Sequence, residues 1–427
     1  MASYDSERLK AVSLIESLRS GIPTRDTTRE MPDLRPHLMD RVRDDLNRFV
    51  GGEVPEGWLV WGEYGQGKSH FLTMVEHLAL EMGFAVSFIT LSREVSCDKL
   101  FHFYRRVAPI VHLPDSSVQG LEGRLLRKNS SDLAGSSIVQ PSRYPHQRPA
   151  IVLRCLLKLG VVDEDGYSLY NDLLGNRLSS SEIRRLSRKA GIHELLRDLP
   201  GFRIGDHAQA YFGVWADAIR FCGYRGWVIL IDEVELISRL GRASRLNAYM
   251  NLDWLLNWSD AMDFPIYTVG AAARSLQDVW FQGTERRRDD RSVIPEMAKE
   301  QFGEDAQGIM RGFFERAVGN HCPTIGPVEE SDLSRLLERI LKLHGLAHAW
   351  NPPDLDEIRS HFSEIRADAP VRTYIRALLE ALDQTLITGQ TPLIQPSELT
   401  EPSTEEDSTY FAEDETGEDE TVPQQSA

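Results

Sequence analysis

Two stretches of this 427-residue chain carry residues whose types and spacing could do chemistry. The first is Gly62-Glu63-Tyr64-Gly65-Gln66-Gly67-Lys68-Ser69, the pattern G-x-x-x-x-G-K-[ST]. Its glycines let successive backbone N–H groups point into one concavity, and a following helix adds its positive end there. Lys68 would reach the β- and γ-phosphates of a nucleotide, and the Ser69 hydroxyl would ligate Mg²⁺. The second stretch runs Gly226-Trp227-Val228-Ile229-Leu230-Ile231 and ends in two adjacent carboxylates, Asp232-Glu233. At a strand's carboxyl end, Asp232 can hold Mg²⁺ directly or through a water. Glu233, one residue on, is placed to polarise a water for attack on the γ-phosphate. Together they predict binding of ATP with Mg²⁺ and its hydrolysis, with Lys68 and Glu233 as the catalytic pair.

The elements that must position these residues are legible around them. Trp58-Leu59-Val60-Trp61 reads as a strand entering the glycine loop, and Phe71 to Met82 as a helix leaving it. Phe84 to Leu91 is a second strand, so strand, helix and strand are expected to form a parallel βαβ unit. Four unbroken aliphatics before Asp232 suit a strand buried on both faces of a parallel sheet. Phe264 to Gly270 is a fourth strand, with Thr268 a candidate polar sensor of the γ-phosphate, and Thr324-Ile325 a fifth. A homo-oligomer could supply an arginine in trans, with Arg286, Arg287, Arg288, Arg291, Arg311 and Arg316 as the candidates.

Ser69 and Asp232 are 163 residues apart, and the interval reads mostly as helix. We expect a helical insertion at about residues 100–220. Within it, Gly120 to Pro149 reads as a long loop rich in Ser, Gly, Pro and Arg. Leu121 to Lys158 holds seven Lys/Arg against two acids, and Arg177 to Lys189 five against one. Ser179 and Glu182 have capping-box spacing ahead of Ile183 and Leu186. Either basic run could contact a nucleic acid, although such runs are commonly solvated helix faces.

Residues 1–57 are expected to form helices leading into the core, 58–330 the core with its insertion, 331–390 a helical lid and 391–427 a disordered acidic tail. Asp5 or Ser6 could cap a first helix carrying Leu9, Val12, Ile15 and Leu18, ended by Gly21-Ile22-Pro23. Leu38 to Val50 reads as another. In the lid, Leu333, Leu336, Leu337, Ile340 and Leu341 share a face and Gly345 is expected to stop the helix. A shorter helix is expected from Pro353 to Phe362. Val371, Tyr374, Ile375, Leu378 and Leu382 then form a second stripe, with Asp368 and Pro370 suited to its start.

Of the net charge of −17, the eleven acids from Glu398 onward carry −11, leaving −6 for the preceding 397 residues. The low net charge therefore does not exclude a nucleic-acid partner. Cys97, Cys155, Cys222 and Cys322 form no C-x-x-C pair and read as isolated reduced thiols. No apolar run approaches a membrane span, so a cytoplasmic protein without membrane contact is expected.

Three stretches together resemble the bacterial phage-exclusion (BREX) ATP-binding protein family, its BrxD-like members most closely by size. They are Ser13 to Pro23, Gly62 to Leu72 with its Glu-Tyr-Gly interior and Lys-Ser-His-Phe-Leu exit, and Ile231-Asp232-Glu233-Val234-Glu235. The resemblance implies an α/β fold of the P-loop NTPase, AAA+-like type, with a parallel sheet flanked by helices and a C-terminal helical lid. It implies an ATPase acting in anti-phage defence with a helicase, other defence-system proteins and DNA. It also puts Arg372 where AAA+ proteins place a second sensor arginine on the nucleotide. The first-sensor asparagine of that pattern is not evident around Thr268. A motor or loader acting on DNA and a slow nucleotide-switched scaffold would use the same pocket, and stimulation of turnover by DNA separates them.

Overall fold

The computed structural model describes residues 2–20, 25–133, 136–140, 143–160, 163–197, 199–259, 264–283, 288–360 and 369–392. Expectations on Gly21 to Pro23, Arg286, Arg287, Asp368 and the acidic tail lie outside these residues. The chain divides into two units, residues 23–328 and residues 1–22 with 329–427.

The larger unit is built on a five-stranded parallel sheet: β1 (Trp58–Gly62), β2 (Ala85–Thr90), β3 (Trp227–Asp232), β4 (Ile266–Ala273) and β5 (Thr324–Ile325). Residues of β1 and β3 are buried throughout, as expected of central strands covered by helices on both faces. The strand order is β2-β3-β4-β1-β5. The consecutive strands β1 and β2 are thus parallel but not neighbours: β3 and β4 lie between them, so the expected βαβ unit is opened by later chain. Gly62 pairs with Ala273 and Ile231 with Gly270, which brings the carboxyl ends of β1, β4 and β3 onto one edge. The outer side of β2 is closed by an antiparallel bridge between Val86 and His112.

Two helices, α1 (Ala2–Ser20) of the smaller unit aside, precede β1: α2 (Arg25–Glu30) and α3 (Pro36–Val50). The helix after the glycine loop, α4, is Lys68–Glu81. Between β2 and β3 run α5 (Leu100–Val107), α6 (Glu122–Leu125), α7 (Arg148–Leu159), α8 (Glu164–Leu173), α9 (Ser180–Lys189) and α10 (Ile204–Phe221). Two buried ion pairs tie this insertion together. Arg148 donates to Asp172 at 2.6 Å beside Tyr211, and Arg143 to Asp217 at 2.6 Å beside Tyr144. Gly120 to Pro149 is not the bare loop expected. Leu121, Leu125, Leu133, Ile138 and Tyr144 are buried there, so apolar anchors fix an otherwise polar segment. After β3 come α11 (Arg242–Leu255), and after β4 α12 (Asp290–Phe302) and α13 (Glu304–Val318). A buried Arg245–Asp290 pair at 2.8 Å joins α11 to α12.

The smaller unit is helical. α1, which sequence order groups with α2 and α3, packs on α14 (Glu330–His348) and α16 (Val371–Thr388), with α15 (Leu355–Ser360) beside α14. Gly345 does not stop α14, which runs on to His348 and ends at Ala349 in a left-handed conformation (φ 55°). α1 buries Ala11, Leu14 and Ile15, whereas Leu9 and Val12 of the expected stripe are exposed. On α16, Val371, Leu378 and Leu382 are buried as expected, but Tyr374 and Ile375 are only half-buried.

No helix among the described residues is long and apolar enough to cross a membrane. The four cysteines are free thiols, and burial pushes each up to about 12.

Burial also holds four histidines below their ordinary value: His70, lowered to about 4, and His77, His146 and His344. The unfolded chain takes up protons at these groups as pH falls through about 6.5, while the folded chain does so only at lower pH. Stability is therefore expected to fall as pH drops from 7 toward 5, by up to about 1.4 kcal/mol per pH unit for each group in its window. Urea unfolding at both pH values checks this, and an unchanged or higher midpoint at pH 5 contradicts it.

Candidate nucleotide site

The glycine loop connects β1 to α4 at the carboxyl edge of the sheet. Gly65 and Gly67 have φ of 77° and 90°, a left-handed backbone that side chains resist, and this lets the loop fold tightly. Gln66 braces it from within, its Oε1 accepting from Glu63 N at 2.9 Å. Lys68 is buried and lies across the loop, its Nζ donating to the carbonyls of Gly62 and Glu63 at 3.1 Å each. Burial lowers the Lys68 pKa, and the carboxylates of Glu235, Asp232, Glu63 and Glu233 oppose that shift. Tyr64 and Glu63 are exposed on the outer rim. All eight predicted loop residues are therefore in one turn ending at the first residues of α4.

Asp232 closes β3 and Glu233 follows it. The Ser69 side chain lies near enough to the Asp232 carboxylate to favour its charged form, and Glu233 N donates to Asp232 Oδ1 at 3.0 Å. Burial raises the Asp232 pKa against these influences. Burial and then the charges of Asp232 and Glu235 raise that of Glu233. Glu233 is also one of three non-glycine residues with positive φ (57°) among the described residues. A left-handed non-glycine backbone costs energy, and such strain gathers at functional sites. The hydroxyl and carboxylate that meet here are hard oxygen donors of the kind Mg²⁺ takes.

Sequence reasoning missed two residues. The first is Glu235, half-buried, whose Oε2 accepts from Ala273 N at 3.0 Å and so hooks the last residue of β4 to the turn after β3. The second is Arg274, the next residue. Its Nε lies 4.0 Å from Glu63 Oε1 in the glycine loop and 3.8 Å from Asp278. Because β4 lies between β1 and β3, its end stands between the loop and the two carboxylates. A π-helical turn, Leu276–Phe281, starts immediately beyond. The only sequence signal for Arg274 was its place after an apolar run that extends three residues further than Gly270.

Thr268 does not occupy the sensor position considered for it. It is buried in mid-strand opposite Ile229, three residues short of the level of Asp232, and its hydroxyl has no partner. Of the described candidates for a trans arginine, Arg311 pairs with Glu296 at 3.0 Å and Arg316 with Glu56 at 3.2 Å. Arg372 lies in the smaller unit, half-buried like Arg376 one turn on, so exposure does not distinguish the two.

Residues 7–120 match the family model described as BREX system ATP-binding protein BrxC/D. Over those residues the chain is similar to that family. The match takes in the glycine loop, α4, β2 and α5, while Asp232, Glu233, Glu235 and Arg274 lie beyond it. No curated protein and no solved structure matches the chain.

A second group of ligand-type side chains, His344, His348 and Asp383, clusters in the smaller unit. Trp350 Nε1 donates to His344 Nδ1 at 3.0 Å, so His344 Nε2 carries the proton and donates to Asp383 at 3.1 Å. Asp383 also receives Arg19. Through these bonds His344 and Asp383 form a tie between helices α1, α14 and α16.

Removing the hook should loosen the end of β4. Glu235→Ala is expected to speed amide exchange at Ala273 by roughly tenfold, the loss of one hydrogen bond to a charged acceptor, while Glu235→Gln changes it less. Equal protection in all three proteins, read by hydrogen exchange, contradicts the assignment.

Proposed function

We infer that the protein is an AAA+-like ATPase of the P-loop class that binds ATP with Mg²⁺ and hydrolyses it, acting on DNA with a helicase partner and other BREX proteins. The observation that carries this reading is the meeting of Ser69, Lys68 and Asp232 at one sheet edge, with Glu233 beside them. The family description, which names ATP binding and the BREX system, supports it.

In this reading the N–H groups of residues 62–69 and the start of α4 hold the phosphates, with Lys68 at the β/γ bridge. Ser69 and Asp232 hold Mg²⁺, which when bound neutralises phosphate charge. Glu233 orients the attacking water and accepts its proton. Its raised pKa makes it a better base, and turnover is lost as pH falls through that raised value because the protonated carboxyl no longer accepts. Arg274, standing between loop and carboxylates, takes the role considered for Thr268 by turning from Glu63 to the γ-phosphate. Arg372 keeps the second-sensor role that the resemblance implies.

Lys68→Ala is expected to abolish ATP binding, while Glu233→Gln keeps binding and lowers turnover by at least 10²-fold, as for a general base. Binding measured by fluorescent ATP analogue and turnover by phosphate release check this, and wild-type turnover in Glu233→Gln sinks the catalytic assignment. DNA-stimulated turnover favours a motor or loader, and slow DNA-indifferent turnover a scaffold.

Charge-assisted contacts to phosphate are worth roughly 1.5–3 kcal/mol, so Arg274→Ala and Arg372→Ala should each cost about 10- to 100-fold in ATP affinity or turnover. Arg376→Ala should cost little. If one of the two arginines behaves like Arg376, that arginine does not read the nucleotide.

A further inference from the structure

Three of the seven cations of the first basic run are spent on the fold: Arg124 is paired with Asp115, Arg143 with Asp217 and Arg148 with Asp172. The second run is used differently. Helix α9 turns Ile183, Leu186, Ser187 and Ala190 inward, toward α7 and the short turn at His193–Leu196. Its remaining cations lie on two sides of the outward face. Arg185 donates to Asp165 at 2.6 Å and Lys189 reaches both Asp163 and Asp165, at 3.1 and 2.6 Å, so this side clamps α9 to the start of α8. Arg184 and Arg188 are on the other side, exposed, and neither meets an acid among the described residues.

The helix is fixed at its start as well. Ser179 and Glu182 form the reciprocal capping box that their spacing predicted. Two exposed guanidinium groups one turn apart are therefore carried on a rigid helix, about 6 Å apart along its axis. That separation is comparable to the step between neighbouring phosphates of one strand. Glu194 and Arg197, on and just after the adjoining turn, offset each other.

We propose that this face of α9 is a phosphate-backbone contact for duplex DNA, with Arg184 and Arg188 on adjacent phosphates and Arg185 and Lys189 holding the helix in place. The proposal rests on the DNA half of the reading above and is independent of ATP chemistry. Contacts of this kind position the duplex without reading its sequence. An acidic protein segment is the competing occupant, and the spacing favours DNA because the two guanidinium forks, which can bind phosphate bidentately, are separated by about the step between neighbouring phosphates.

The test is fluorescence anisotropy of the full chain with a labelled random-sequence duplex across a salt series. Arg184→Ala/Arg188→Ala is expected to weaken binding at least tenfold and to reduce the slope of log affinity on log salt by about two, one per phosphate lost. ATP turnover without DNA should stay at the wild-type rate. Lys342→Glu on α14 serves as the charge control and should leave the slope unchanged. DNA binding with an unaltered slope in the double variant overturns this surface and leaves the DNA reading standing. No duplex binding by the wild type at low salt overturns both. Retention of poly-glutamate but not duplex, lost in the double variant, gives the face to an acidic protein partner.

Discussion

One juxtaposition, of the Ser69 side chain with the Asp232 carboxylate, organises this molecule. It joins two strands that never touch, since β4 lies between β1 and β3. For it to form, three strands from distant parts of the chain must end at one level, and the register of Gly62 on Ala273 and Ile231 on Gly270 brings that about. A slip of one residue in any of the three would turn inward-facing side chains outward and separate the pair. The long apolar runs of these strands thus matter to chemistry as much as to the core.

The candidate site was readable from the chain because its signals are local. Gly65 and Gly67 mark backbone that other residues resist, Lys68 and Ser69 open a helix, and Asp232 ends four aliphatics. Arg274 and Glu235 were not readable, because their meaning depends on which strand lies between which others. Thr268 misled for the same reason: the strand continues to Ala273, so a residue that looked terminal is in the middle. Gly345 misled because a glycine next to Pro352 and Trp350 O is there for close approach, not for termination. In α1 the exposed Leu9 and buried Ala11 follow from packing on α14 and α16, partners over 300 residues away that no local periodicity could identify.

The distribution of charge carries a similar lesson. Runs of Arg and Lys in the insertion look alike in the sequence, yet their partners divide them. Arg143 and Arg148 are consumed by buried aspartates whose loss would strand a charge in the core, whereas α9 spends two cations on its neighbour and leaves two to solvent. Counting basic residues cannot make that distinction, because the acids concerned lie 20 to 74 residues away in the chain.

The left-handed backbone at Glu233 has a consequence for how this chain would respond to selection. A glycine or asparagine would adopt that conformation more easily, and strain of this kind costs roughly 1–3 kcal/mol. A screen for ruggedness alone would therefore drift toward replacing Glu233, and under the role proposed for Glu233 it would return a hardier fold with a silent pocket. On that proposal, position 233 is where durability and chemistry pull in opposite directions.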